Sequence, residues 1–423
     1  MTQVAISTES HHDDIDTNPS SNPTFASVLD TRLSRRQVLK GGFSTTALAM
    51  FGAAGSLGLA GCSSGDDAQA AAPIAPAPFV PTLGFTAVAK SLADVVSVPS
   101  GYSVSVLYRL GDPITAAAGD FRNDGTDTAA SFAQRAGDHH DGMHFFGMGA
   151  NNQFSANASD RGMLAMNHEA ITPAFLHPTG ATTVNGARTV AEEVQREFFV
   201  HGVSVIEVNR NGSAVTYNRT SALNRRIHTL TEMELAGPAA RTPLMITKFS
   251  ADGSKTRGTV NNCANGYTPW GTYLTCDENW AGYFRRIAAT DNPNRSVKEL
   301  ASFARYGVTG NGRELWATVT PDTADNQYGR WNAMKLGVSA DGSDDYRNVA
   351  NTYGWIVEID PFNAASIPKK RTAMGRWRMA GPGYCRQTAG VVHGLRFARR
   401  IHLQIRVRRQ LGRRRRQPWT RRR

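Results

Sequence analysis

Asn261-Asn262-Cys263-Ala264-Asn265-Gly266-Tyr267-Thr268-Pro269-Trp270-Gly271-Thr272-Tyr273-Leu274-Thr275-Cys276-Asp277-Glu278-Asn279-Trp280 gathers two thiols, two acids and several asparagines around a Gly/Pro-rich turn. Thr272 to Cys276 alternates β-branched, aromatic and apolar residues, so it reads as a short strand that delivers Asp277 and Glu278 at its end. Gly266, Pro269 and Gly271 ahead of it impose loop geometry, which suits a backbone shaped around a site. On chemistry alone two readings stand side by side: a disulfide or two buried cysteines in a β-turn, and a backbone shaped around a site.

Outward from this window the chain between Thr82 and Arg376 is punctuated like a β protein. Tyr102-Ser103-Val104-Ser105-Val106-Leu107-Tyr108, Val203 to Val208, Leu244 to Thr247 and Trp355 to Ile359 read as strands. Asn211-Gly212, Asp252-Gly253, Asn311-Gly312 and Asp341-Gly342 read as turns. One helix is expected from Thr189 to Phe199, with Glu192, Glu193 and Arg196 on its solvated side. Many short strands with frequent turns imply a sandwich, barrel or propeller, and no crisp repeat chooses among them.

The window also resembles the signature of PhoX-type alkaline phosphatases: Asn-Cys, Thr-Pro-Trp-Gly-Thr, an apolar strand, then Cys-Asp-Glu-Asn. Further strings similar to that family follow in order: Asp141-Gly142-Met143-His144-Phe145-Phe146, Leu164 to Glu169, His201 to Val205, Asn224-Arg225-Arg226-Ile227, Gly237-Pro238-Ala239-Ala240 and Gly354 to Pro361. The resemblance spans Val96 to Arg376. It implies an all-β, propeller-like fold with few short helices, incomplete in this chain, occupying residues 82–377. It also implies phosphomonoester hydrolysis with calcium and iron as cofactors, small phosphate esters as substrates, and a monomer. Hard calcium needs carboxylate and carbonyl oxygens, whereas thiolate suits iron.

Carried onto this sequence, the resemblance makes Cys263 the iron thiolate, Glu169 a metal ligand and Glu278 a carboxylate shared between metals. Asn262 and Asn167 are weaker candidates through their amide oxygens, and Cys276 is expected to pack beneath the site. Asp138-His139-His140-Asp141 suggests zinc, but adjacent side chains in an extended chain point oppositely. It is read as a loop with Asp141 in an outer shell. Arg225 and Arg226 are the candidate substrate-binding pair, through bidentate phosphate contacts, or else a cover over one face of the fold. No nucleophile elbow and no Gly-rich phosphate loop is present. The competing readings are a non-catalytic exported propeller lipoprotein that binds a ligand or partner, and a phosphodiesterase on the same scaffold.

The two ends belong to other arguments. Residues 1–70 read as an export signal: Ser34-Arg35-Arg36-Gln37-Val38-Leu39-Lys40 carries the twin-arginine pair Arg35 and Arg36, followed by a weakly apolar run. Leu59-Ala60-Gly61-Cys62 resembles a lipobox with Cys62 as the lipidated residue, and cleavage after Ala68-Gln69-Ala70 is the alternative. Residues 71–81 form an Ala/Pro-rich spacer. The expected location is the periplasm or a lipid anchor at the envelope, with the twin-arginine machinery as partner. A net charge of +12 suggests nucleic acid, but 15 of the 47 basic residues lie in 378–423, leaving 32 against 35 acidic ones and a body of −3. No nucleic-acid partner is expected.

That arginine-rich, acid-free tail has the composition of a misread frame. Val392 through Val407 can be reread one nucleotide later as YMGCDSRGEYIYKFVS, a family-like segment. A frame shifted near Trp377 would leave the phosphatase domain truncated and its activity impaired.

Overall fold

A strand of alternating residues is stable only when its ladder groups find partners, and two sheets supply them here. The computed structural model describes residues 85–376. In the first sheet β1 (His140–Gly147), β2 (Arg161–His168), β3 (Gly202–Asn211) and β4 (Ala214–Tyr217) lie in sequence order, and β5 (Arg225–Ile227) also pairs with β3. Every pairing in this sheet is antiparallel.

The second sheet contains β6 (Glu232–Ala236), β7 (Lys255–Arg257), β8 (Asn262–Tyr267), β9 (Tyr273–Asp277), β10 (Ile356–Ile359) and β11 (Lys369–Arg371). Its spatial order is β8-β9-β10-β11-β6-β7. Only the β11–β6 neighbours are parallel among these strands. The sequence window is therefore the β8–β9 hairpin at one edge of this sheet.

The two sheets meet along a seam between β1 and β8. Asn167 at the end of β2 donates to the Cys263 carbonyl at 2.6 Å, and its Oδ1 accepts from the Tyr273 hydroxyl at 2.9 Å. The same hydroxyl reaches the Gly142 carbonyl at 2.8 Å, and Asn265 donates to the Met143 carbonyl at 3.0 Å. His144 stacks on Tyr267 with ring centroids 3.8 Å apart. Gly142 is required by this approach: a Cβ there would stand 2.7 Å from the Asn265 side-chain oxygen and 2.8 Å from the Cys263 carbonyl.

Beyond the hairpin the chain enters an aromatic core. Trp280, Tyr283, Phe284, Trp316, Trp331 and Tyr353 are all buried with Phe198 of helix α1 (Ala191–Val200). Trp316 lies 4.6 Å from Trp331 and 5.0 Å from Phe198, centroid to centroid and near-perpendicular, the arrangement that ring quadrupoles favour. Helix α2 (Val297–Tyr306) begins with a complete capping box between Ser296 and Glu299. None of the helices among the described residues is long and apolar enough to cross a membrane.

The expected dominance of strands is present, and helices are few and short. Several local expectations need correction. Helix α1 forms as expected, but Arg196 is buried and donates to the Leu176 and Asp127 carbonyls, so only Glu192 is exposed of the three residues placed on its solvated side. Leu244 to Thr247 is no strand, because Pro243 opens a 3-10 turn over Pro243–Met245. Tyr102 to Tyr108 has the alternating pattern but no ladder partner among the described residues, and Tyr102, Val104 and Val106 stand exposed. Helix α2 was not anticipated, although Ser296-x-x-Glu299 is its N-terminal signal. The export signal, spacer and arginine-rich tail fall outside the described residues.

Asp277, at the end of β9, is the most heavily partnered acid in the second sheet. Lys370 of β11 reaches its Oδ2 at 3.1 Å, with both side chains fully buried and the ammonium 3.8 Å from the Tyr353 ring centroid. The Gly354 amide donates to the same oxygen at 3.1 Å, while the Thr259 hydroxyl and the Val260 amide donate to the other. Removing one partner of such a pair strands a buried charge. Lys370→Met is expected to lower unfolding stability by about 3–5 kcal/mol in urea titration. Asp277→Asn combined with Lys370→Met should cost less than Lys370→Met alone, because the uncompensated charge is then gone.

Candidate metal centre

Glu278 and Asn261 are fixed first, by the backbone. The Glu278 amide donates to the Asn261 carbonyl at 2.8 Å, closing the mouth of the β8–β9 hairpin. Asn261 and Asn279 both adopt left-handed backbone angles, φ 50° and 43°, a conformation that Asn tolerates better than most residues. Anchored Asp277 and left-handed Asn279 together hold buried Glu278 between them.

A bulge then decides which thiol faces the acids. Asn262 pairs with Asp277 but Asn265 pairs with Thr275, so Cys263 and Ala264 together oppose Cys276 alone. Ala264 packs with Cys276, Leu274 and Ile356 in an apolar patch. Cys263 turns the other way, toward the Glu278 and Asp141 carboxylates, which with burial raise its pKa. No disulfide joins the two cysteines. The two cysteines therefore stand in separate environments, with Cys276 packed against Leu274 and Ile356.

Ligand-type atoms of Asp141, Glu169 and Cys263 all lie within 4.8 Å of one another. Asp141 comes from β1, Glu169 follows the last residue of β2, and Cys263 comes from β8, so the cluster sits where the two sheets meet. Asn261 donates to Glu169 Oε1 at 2.6 Å. Burial, then the charges of Asp141 and Glu278, raise the Glu169 pKa, and the Asn261 bond only partly offsets them. Burial, the Glu278 hydrogen bond and the neighbouring carboxylates push the Cys263 thiol strongly upward. None of Asp141, Glu169 and Glu278 has an ion pair with Lys or Arg among the described residues. Three acids and a thiol converging without a counter-cation form a donor set that a cation would stabilise and whose protons it would displace.

The other candidates have different places. Asp141 stands in the cluster with Glu169 and Cys263; its neighbour His139 turns to the Thr172 hydroxyl at 2.9 Å, and His140 to the Gly137 carbonyl at 3.0 Å. Both polar atoms of the Asn167 side chain are committed to the seam. Asn262 is fully buried and donates to the Thr259 and Thr275 hydroxyls at 2.7 and 3.1 Å. Its Oδ1 has no hydrogen-bond partner among the described residues, leaving one acceptor open.

Arg225 and Arg226 do not form a phosphate site. Arg225 caps the Ala364, Ser366 and Asp360 carbonyls at 2.7–2.9 Å. Arg226 is buried and donates to the carbonyls of Arg135, Phe199, Val200, His201 and Val203, and burial pulls its pKa down to about 9. Most of the donors of both guanidiniums are thus committed to backbone carbonyls, which ties the pair to holding the fold. Sequence reasoning missed Lys370, for which the only signal was a charge inside the short run Lys369-Lys370-Arg371.

The family described as Alkaline phosphatase PhoX matches residues 83–380. Comparison with curated proteins found no match. Among solved structures, Pseudomonas fluorescens PhoX in complex with vanadate, a transition state analogue, is similar at 36% identity and a TM-score of 0.58. That match covers 70% of this chain and 45% of the other, so the chain spans less than half of that relative's length. The ordered motifs, the two-sheet fold and the match over residues 83–380 lead to one assignment: this chain belongs to the PhoX alkaline phosphatase family.

Proposed function

We propose that this chain carries part of the metal site of an exported phosphomonoesterase, with calcium and iron as its metals and phosphate scavenging from organic esters as its role. The observation that carries this reading is the convergence of Asp141, Glu169 and Cys263, with Glu278 on the thiol, in a protein of this family. Carboxylate oxygens suit calcium and a thiolate suits iron, so the donor set fits both. Asp141, Glu169, Glu278 and Cys263 are the residues that would hold these ions, and Asn262 Oδ1 offers a further oxygen. Bound cations would supply the positive charge that phosphoryl transfer demands on its equatorial and leaving oxygens. The protein contributes placement: Asn167 fixes the Cys263 backbone, Asp277 anchors the hairpin end, and Asn261 orients Glu169.

Calcium takes six to eight oxygens, more than this cluster supplies, which supports a cage built from additional segments. The rereading of Val392 to Val407 one nucleotide later supports the same reading. We place a one-nucleotide frame shift near Trp377. Export through Arg35 and Arg36, lipidation at Cys62, a periplasmic or envelope location, a propeller-like body and a monomeric state belong to the same proposal; they rest on the leader sequence and the family resemblance.

The metal site is tested first by stability. Because the folded pKa of Glu169 is raised, its contribution to the metal-free chain is present below about pH 4.5 and is lost as pH rises through the folded value. Glu169→Gln should therefore raise the metal-free melting temperature at pH 7 and leave it little changed near pH 4. Calcium should raise the melting temperature of the parent chain at pH 7 more than at pH 5, where protons compete for the carboxylates. Glu169→Gln should lose most of that rise. No calcium-dependent shift in the parent chain would count against the metal reading.

Activity is tested with p-nitrophenyl phosphate in the presence of calcium and iron, on the chain as written and on one whose frame is restored at codon 377. The restored chain should hydrolyse the ester and the chain as written should show little turnover. Cys263→Ser in the restored chain should lower kcat by about 100-fold or more, with lost iron content measured alongside. An inactive, metal-free restored chain would favour the ligand-binding lipoprotein instead.

A further inference from the structure

With half-buried Arg225 and buried Arg226 both engaged with backbone carbonyls, the cluster still needs a group that can orient a phosphoryl anion. Arg313 stands at its rim. The tight loop between residues 310 and 315 delivers it: Arg285 and Arg286 pair with Asn311 and Gly310, and the Arg313 amide donates to the Gly282 carbonyl at 2.8 Å. Gly312, at φ 78°, lies so close to the Tyr283 carbonyl that a Cβ would sit 2.6 Å from it. The turn is thus locked against the segment that follows the β8–β9 hairpin.

The guanidinium is held in plane as well as in place. It lies over the Tyr283 ring at 4.0 Å, and Nη2 donates to Asn261 Oδ1. Nη2 also lies 3.5 Å from the Asn279 carbonyl, and Nε is 3.9 Å from Glu314 Oε1. Asn261 is the residue whose amide nitrogen donates to Glu169, so Arg313 is one side chain removed from the carboxylate cluster. Its side chain is nonetheless 41% exposed, unlike the buried Arg226. Nη1 has no hydrogen bond among the described contacts of the loop. A stacked, pre-oriented guanidinium with an open edge loses little entropy on taking an anion and offers the fork geometry that phosphoryl oxygens match.

We propose that Arg313 binds the phosphoryl group of the substrate at the edge of the metal cluster. This rests on the metal-dependent phosphoesterase reading above and adds a substrate-binding residue to it. The competing role is purely positional: Arg313 would hold Asn261, and through it Glu169, in place for the metal. The two roles separate because one acts on the anion and the other on the cation.

The probe is phenylphosphonate, a phosphoryl group that cannot be hydrolysed as an ester, titrated calorimetrically into the full chain loaded with calcium and iron. Calcium affinity is measured separately on the same proteins. Arg313→Gln should weaken phenylphosphonate by about tenfold or more while calcium affinity stays within about twofold of the parent, and Arg313→Lys should fall between, keeping charge without the fork. Unchanged phenylphosphonate affinity in Arg313→Gln, or a loss of calcium affinity parallel to the loss of phenylphosphonate, overturns the assignment and leaves the metal reading standing. A parent chain that binds calcium but not phenylphosphonate overturns the assignment too, while the phosphoesterase reading is decided by turnover of the restored chain. Melting temperatures near that of the parent confirm that each variant is folded.

Discussion

The buried contact between Asp277 and Lys370 is the constraint on which the site depends. It ties the end of β9 to β11 across the intervening strand β10, and the other lone pairs of the same carboxylate collect Thr259, Val260 and Gly354. One acid thereby fixes the approach to β8, the end of β9 and the approach to β10. Its immediate neighbour in sequence is Glu278, which faces the cluster. The chain spends a desolvated ion pair, costly by itself, to hold an adjacent carboxylate where like charges would otherwise drive it away.

Much of this was legible in the residues. The window around Cys263 announced a hairpin with a thiol and acids, and the fold brings Glu169 beside that thiol. The strands around Val203 and Ile356 followed from alternation, because each has neighbours on both sides in its sheet. The matching pattern at Tyr102 to Tyr108 had no such neighbour among the described residues, and alternation alone cannot supply one. Pairing is a tertiary fact. So is the choice between a guanidinium that grips an anion and one that caps carbonyls, which is why Arg225 and Arg226 misled while Arg313, isolated in a loop, drew no notice.

Asp141 shows the same limit in another form. Beside two histidines it looked secondary, yet β1 crosses β8 with Gly142 at the closest approach, and that crossing carries Asp141 into the cluster. The left-handed Asn261 and Asn279 were visible only as asparagines. Their backbone angles place a side-chain bridge on one side of Glu278 and a sharp exit on the other.

The bulge in β8 has a consequence for how this hairpin could change in length. In a regular ladder Cys263 would stand directly opposite Cys276, on the same face, beside Leu274. Deleting a single residue there would restore that regularity and move the thiol out of the acidic cluster into an apolar patch where a cysteine pair could close. Insertions and deletions at this one position act like a substitution of the ligand. The count of residues between Asn262 and Asp277 is therefore as much a part of the chemistry as the residues themselves.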